Sequence, residues 1–182
     1  NFCNHTVMEN KFILKDCEFI KSPNFDHRPK NTVVDTIVIH CISLPEKNYD
    51  NENVTLLFLN DLNKNLHPSF SSLDGLRVSS HILIKRDGQL IQYVPFDKRA
   101  WHAGKSEYKG RTNYNDFSIG IELHGSVSDI YTEDQYLSLK NLIDELKEIF
   151  PSITDSNILG HSDIAADRKN DPGPNFTWEK IK

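Results

Sequence analysis

Residues 36–42 read TIVIHCI, a β-branched and apolar run broken by a histidine near its end. A strand of that composition offers no face to water, so it is expected inside a sheet covered on both sides. His40 is then a polar group in a buried strand, a placement that costs free energy unless the ring is paired.

The rest of the chain supplies the other parts of such a fold. Val54, Leu57, Phe58 and Leu62 recur at three- and four-residue spacing and predict a short helix over 53–63. Residues 79–95 read as two strands joined by a turn at Asp87-Gly88, a dipeptide suited to tight hairpins. Residues 96–117 form a long polar and aromatic loop, and 118–124 (SIGIELH) a further strand. The clearest helix spans 132–150, with Thr132 as N-cap, Gln135 at the third position, and Pro151 as its stop. A terminal helix is expected from about Thr177, whereas 1–34 is polar and irregular, with Pro23 and Pro29 opposing a helix. Alternating strands and helices with a central hairpin predict an α/β fold of one domain, a central mixed β-sheet flanked by helices. The domain is expected over 22–182, preceded by a partly irregular extension over 1–21.

At 182 residues the chain suits one domain, and its formal charge of −5 with scattered basic residues argues against nucleic acid as a partner. No apolar stretch approaches the roughly 20 residues of a membrane span. The start, NFCNHTVMEN, has neither a basic nor an apolar region typical of a secretory signal. With Met8 as the only methionine, residues 1–7 read either as a vector remnant or as the start of a mature chain. Cys3, Cys17 and Cys41, with no CxxC spacing, read as reduced thiols of a cytoplasmic protein, expected to be a monomer.

Of eight histidines, His40 and His161 stand out, the latter heading the charged segment GHSDIAADRKNDPGP. Hydrolytic zinc sites use three protein ligands and keep a fourth position for water, and nitrogen and oxygen donors suit the metal. His40, His161 and Asp171 could supply such a set, but no HExxH is present. A salt-bridged surface loop is the competing reading of the same segment.

The segments TIVIHCISLP, LRVSSHILIKRDGQLIQYVPFDKRAWHAG, YKGR, NDFSIGIELHG, YTEDQY and GHSDIAADRKNDPGP together resemble the AmpD-type amidases, in collinear order from about Ser22 to Trp178. Those enzymes act on 1,6-anhydro-N-acetylmuramyl peptides during bacterial wall recycling. They belong to a wider zinc amidase group that includes phage lysozyme-like amidases and peptidoglycan recognition proteins. The resemblance implies cleavage between the lactyl group of the muramyl sugar and L-alanine, with Zn2+ as cofactor and peptidoglycan-derived anhydromuramyl peptides as substrates. It implies His40, His161 and Asp171 as metal ligands, the aspartate pointing to the recycling branch. It further implies Glu122 as the base acting on the attacking water and Lys169 as the cation facing the developing oxyanion. Arg77, Trp101, His102, Ala103 and Arg111 take the substrate-binding positions, with a packing role beneath the loop as the alternative for Trp101. His81 reads as an interior histidine outside the ligand set, and His124 has no assigned role. Two departures stand against the pattern. Cys41 replaces the usual asparagine after the first ligand, and strand alternation predicts that it points away from the His40 side chain. Asn113 stands where many members carry arginine, which weakens recognition of the third peptide residue unless Arg111 substitutes. Two other functions share the resemblance: a receptor that binds peptidoglycan without cutting it, and an amidase of intact wall.

Overall fold

The structure is a computed structural model that describes residues 10–182. Cys3, His5, Met8 and the question of residues 1–7 lie outside the described residues.

In chain order the strands are β1 (Glu18–Phe19), β2 (Phe25–His27), β3 (Thr36–Ile42), β4 (Ile82–Ile84), β5 (Leu90–Gln92), β6 (Lys98–Ala100), β7 (Glu107–Tyr108), β8 (Arg111–Thr112), β9 (Ser118–His124) and β10 (Ile158–Gly160). The α-helices are α1 (Asn53–Phe58), α2 (Glu133–Ile149) and α3 (His161–Ile164). One sheet takes the order β1-β5-β4-β9-β3-β10, in which only the β4–β5 hairpin is antiparallel. The expected mixed sheet with flanking helices is thus the observed one. β3 lies between β9 and β10, and Ile37, Val38 and Ile39 are fully buried there, as a strand with no polar face requires.

Helix α2 covers one face of the sheet. Tyr136, Leu139, Leu142, Ile143 and Leu146 pack with Ile37, Ile39, Ile119 and Ile121, and each aliphatic side chain so buried contributes roughly 1.5–3 kcal/mol. The capping box forms: Gln135 N donates to Thr132 Oγ1 and Thr132 N to Gln135 Oε1, both at 3.1 Å. Gln135 also fastens the helix to the sheet, its Nε2 donating to the carbonyls of Ile84 and His124. The hairpin turn abuts the same helix so closely that a Cβ on Gly88 (φ +85°) would lie 2.8 Å from the Asp134 carbonyl oxygen. On the other face, α1 packs with Leu83, Ile91 and Tyr93, while Val38 meets Ala103, Tyr114, Leu159 and Ile164.

Three expectations change. Helix α1 stops at Phe58, short of residue 63, because Asn60 turns left-handed (φ 64°) and its amide, with that of Asp61, bonds back to Leu57 and Leu56. The terminal helix is a single 3-10 turn, Trp178–Lys180. Residues 96–117, read as one loop, hold β6, the β7–β8 hairpin and a short 3-10 turn. Within 10–21, Phe12 stacks on Phe150 and Glu18–Phe19 form the edge strand, so this stretch packs on the domain. No helix among the described residues is long and apolar enough to cross a membrane.

Candidate active site

The parallel pairing of β3 and β9 sets His40 directly beside Glu122, and Val38 beside Gly120. Neighbours in register share a face, so His40, Gly120 and Glu122 stand together, and Ile39, Cys41, Ile119 and Ile121 pack on the α2 side. On its other edge β3 pairs with β10, whose last residue, Gly160, leads straight into His161 at the start of α3. A Cβ on Gly160 would sit 2.9 Å from Pro172 Cδ, which leaves room for glycine alone where the chain returns. Ser162 N donates to the Asp171 carbonyl at 3.0 Å, closing that return and bringing Asp171 back to His161.

Three side chains far apart in sequence therefore converge. Asp171 Oδ2 lies 3.2 Å from His40 Nδ1 and 3.2 Å from His161 Nδ1, and the two Nδ1 atoms are 3.0 Å apart. One ligand atom from each lies within 4.8 Å of the others. Cys41 contributes no atom to this group. Glu122 Oε1 is 4.0 Å from His40 Nδ1, and Glu122 Oε2 is buried with no hydrogen-bond partner. Burial, and then the neighbouring Asp171, hold the Glu122 carboxyl well above the usual carboxylate range, with Lys169 opposing the rise. Burial, and then His161, push His40 down to about 4.

These residues line a cavity of about 490 Å³. Lys169 also lines it, as do the apolar side chains of Leu44, Leu57, Leu73, Val78 and Trp101. Its lining suits a small ligand carrying both a polar reacting bond and an apolar body.

The positions taken as substrate contacts scatter. Trp101, half-buried, lines the cavity. His102 and Ala103 border it but are buried, at 9% and 0% exposure, and their polar atoms face other protein groups. His102 Nδ1 lies 2.9 Å from His40 Nε2, and its Nε2 lies 3.0 Å from Ser118 Oγ. The Ala103 carbonyl accepts from Arg168 at 2.6 Å and meets His161 Nε2 at 3.0 Å. Arg77 is exposed and borders a smaller adjoining pocket with Lys64 and Leu76. Arg111 is also exposed, pairs with Asp35 at 3.2 Å and lies over the Phe117 ring. Asn113 adopts a left-handed conformation (φ 59°), which asparagine tolerates better than most residues.

His81 is fully buried with both ring nitrogens in use, Nδ1 accepting from Gly120 N and Nε2 meeting the Lys98 carbonyl. His124 is buried beside the Tyr49 ring, and its Nε2 has no partner.

Sequence reasoning passed over Asn115, Ser118, Arg28 and Arg168. Asn115 Oδ1 accepts from the amides of both His102 and Ala103. Arg28 donates to the carbonyls of Phe96, Asn115, Asp116 and Ser118 and so anchors the segment that carries Asn115. A signal for Ser118 was present: in SIGIELH every second residue (Ser118, Gly120, Glu122, His124) is small or polar, while the alternate ones are Ile or Leu.

The N-acetylmuramoyl-L-alanine amidase family matches residues 30–174. The chain is 47% identical, over 90% of its length and 88% of the relative's, to the 1,6-anhydro-N-acetylmuramyl-L-alanine amidase AmpD of Escherichia coli K12. Its fold is similar to a crystal structure of an AmpD selenomethionine derivative, with a TM-score of 0.91 and 44% identity over 94% of this chain and 95% of that one. It is also similar to E. coli AmiD in complex with the substrate anhydro-N-acetylmuramic acid-L-Ala-D-gamma-Glu-L-Lys. There the TM-score is 0.62 at 28% identity, over 85% of this chain and 59% of that one.

Proposed function

The chain belongs to the N-acetylmuramoyl-L-alanine amidase family, among the AmpD-type enzymes, and from that premise we propose a zinc-dependent hydrolase of anhydromuramyl peptides in peptidoglycan recycling. Its target is the amide joining the lactyl group of 1,6-anhydro-N-acetylmuramic acid to L-alanine. The observation that carries the zinc requirement is the convergence of His40, His161 and Asp171 in the cavity wall. Two imidazole nitrogens and a carboxylate oxygen make a donor set that fits zinc in a hydrolytic site. The unpartnered Glu122 Oε2 beside them fits the same reading, since buried polar atoms in native proteins rarely lack a partner.

His40, His161 and Asp171 would hold a zinc ion, which when bound would supply Lewis-acid polarisation and lower the pKa of a water toward neutrality. The chain's own side chains do the remaining work. Glu122, its proton affinity raised by burial, takes a proton from the attacking water and gives it to the alanine nitrogen as the C–N bond breaks. Lys169, in the same wall, presents its ammonium to the carbonyl oxygen as that atom gains negative charge. Trp101 and the apolar side chains of the cavity lining suit the less polar face of the sugar. Arg77 and Arg111, both exposed and neither in the cavity lining, supply the guanidinium groups proposed to meet carboxylates of a stem peptide, Arg111 only by leaving its pairing with Asp35. We propose a cytoplasmic monomer; for the compartment, Cys17 and Cys41 as free thiols fit a reducing environment.

Mass spectrometry of products from a soluble anhydromuramyl tripeptide tests this reading. Free sugar and a peptide beginning with L-alanine are expected, lost with a chelator and restored by zinc. Binding without cleavage would make the protein a receptor, and preferential digestion of insoluble sacculi would overturn the recycling assignment.

A further inference from the structure

An imidazole can offer Nδ1 to a metal only when its hydrogen sits on Nε2, and the group behind the ring decides which tautomer forms. We propose that the dipeptide His102–Ala103 fixes that tautomer in both histidine ligands, His102 through its side chain and Ala103 through its carbonyl. The inference rests on the zinc reading above. It makes His102 a positioning residue, acting through His40, and gives its ring a role other than substrate contact.

The direction of each hydrogen behind His40 follows from the far end of the chain of contacts. A carbonyl oxygen only accepts, so Ser118 Oγ donates to the Tyr114 carbonyl, 2.5 Å away. The hydroxyl has one hydrogen, so toward His102 Nε2, at 3.0 Å, it accepts. A neutral His102 then carries its hydrogen on Nε2 and presents a lone pair at Nδ1. His40 Nε2, 2.9 Å from that lone pair, donates, which leaves a lone pair on His40 Nδ1. For the second ligand the chain is one link long. His161 Nε2 faces the Ala103 carbonyl at 3.0 Å, so its hydrogen is there and its Nδ1 is also bare.

The consequence is a centre with no hydrogen in it. His40 Nδ1, His161 Nδ1 and Asp171 Oδ2 face one another at 3.0–3.2 Å as three acceptors. A cation satisfies that arrangement, and none of the three can satisfy another. The controlling dipeptide is itself fixed: Asn115 Oδ1 accepts from His102 N at 3.1 Å and Ala103 N at 2.8 Å. Gly120 leaves space for the ring, since a Cβ there would lie 2.4 Å from His102 Cγ. Both His102 ring nitrogens are committed, so neither remains for a ligand in the cavity.

Two measurements on the full chain test this. In the chelator-treated wild type, nitrogen-15 NMR of the imidazoles should show His40 and His161 protonated on Nε2 and bare at Nδ1. A hydrogen on Nδ1 of either ring would overturn the proposal, and this result does not depend on any variant folding. Zinc affinity by chelator competition is then compared in wild type, His102→Phe and His102→Gln. Phenylalanine fills the space without hydrogen bonds, while glutamine offers a carbonyl to His40 and an amide hydrogen to Ser118. His102→Phe should lose about 10- to 100-fold in affinity and His102→Gln should recover most of it, with KM for the anhydromuramyl peptide unchanged at saturating zinc. A folded His102→Phe that binds zinc as wild type does, or that raises KM alone, refutes the positioning role. Wild-type protein that binds no zinc would instead refute the function proposed above, and the NMR result would still decide the tautomers.

Discussion

Replacing Gly120 by alanine would place a methyl carbon 2.4 Å from Cγ and 2.6 Å from Nδ1 of His102, about 1 Å inside van der Waals contact. The backbone raises no objection. Gly120 sits in β9 at an ordinary strand conformation, where a Gly→Ala change stabilises by about 0.4–1 kcal/mol through the unfolded chain. The steric term outweighs that gain. The ring cannot retreat without leaving His40 and Ser118, two contacts worth about 1 kcal/mol each, and overpacking a dense interior costs about 1–3 kcal/mol more. A net loss of about 2–5 kcal/mol is expected, together with weaker zinc binding, because the displaced ring is the one behind His40. Urea unfolding of chelator-treated protein measures the first quantity and chelator competition the second. Unchanged stability and unchanged zinc affinity in a folded Gly120→Ala would mean that His102 is not held where the structure puts it.

Further consequences concern the base, a buried histidine and a half-buried arginine. Glu122→Gln should bind zinc as wild type does and lose about 10²- to 10⁴-fold in turnover, and retained turnover would remove Glu122 from the proton transfer. His81 is held down to about 3 by burial and then by Arg28, and its Nδ1 already accepts from Gly120 N, so a second ring hydrogen would oppose an N–H. Its folded pKa lies below the unfolded one, so the unfolded chain takes the proton first. Stability should fall as pH drops from about 6.5 toward about 3, by up to about 1.4 kcal/mol per unit. His81→Asn should remove one proton's worth of that slope in urea unfolding at stepped pH, and parallel slopes would contradict the assignment. Arg28→Met strips the donor from four backbone carbonyls and should destabilise by about 3 kcal/mol in the same assay, whereas a change below about 0.5 would mean that water replaces it freely.

Periodicity made the faces of this fold readable but not the partners across them. TIVIHCI announced a central strand, and the capping box and apolar stripe of 132–150 announced the helix that covers it, because both signals are local. Helix α1 was overextended for the complementary reason: the left-handed turn at Asn60 leaves no trace in the spacing of Leu57, Phe58 and Leu62. At the site, His40 and Glu122 stood out as polar residues in apolar strands. The pairing of β3 with both β9 and β10, which joins them to His161 and Asp171, is a long-range choice that no window of sequence contains. His102 shows the limit most clearly. The resemblance put it among the substrate contacts, yet its ring is turned inward with both nitrogens engaged.

Strand β9 explains why so much of the site depends on one register. Ser118 ends the chain of hydrogen bonds behind His40, Gly120 makes room for the ring in that chain, and Glu122 stands beside the three converging donors. They are spaced by two residues because only every second side chain of a strand reaches a given face. A slip of one residue would present Ile119, Ile121 and Leu123 to the cavity and turn the serine and the glutamate into the core under α2. Packing and chemistry therefore select the same alignment: the isoleucines that need burial on one side are what hold the base and its supporting residues on the other.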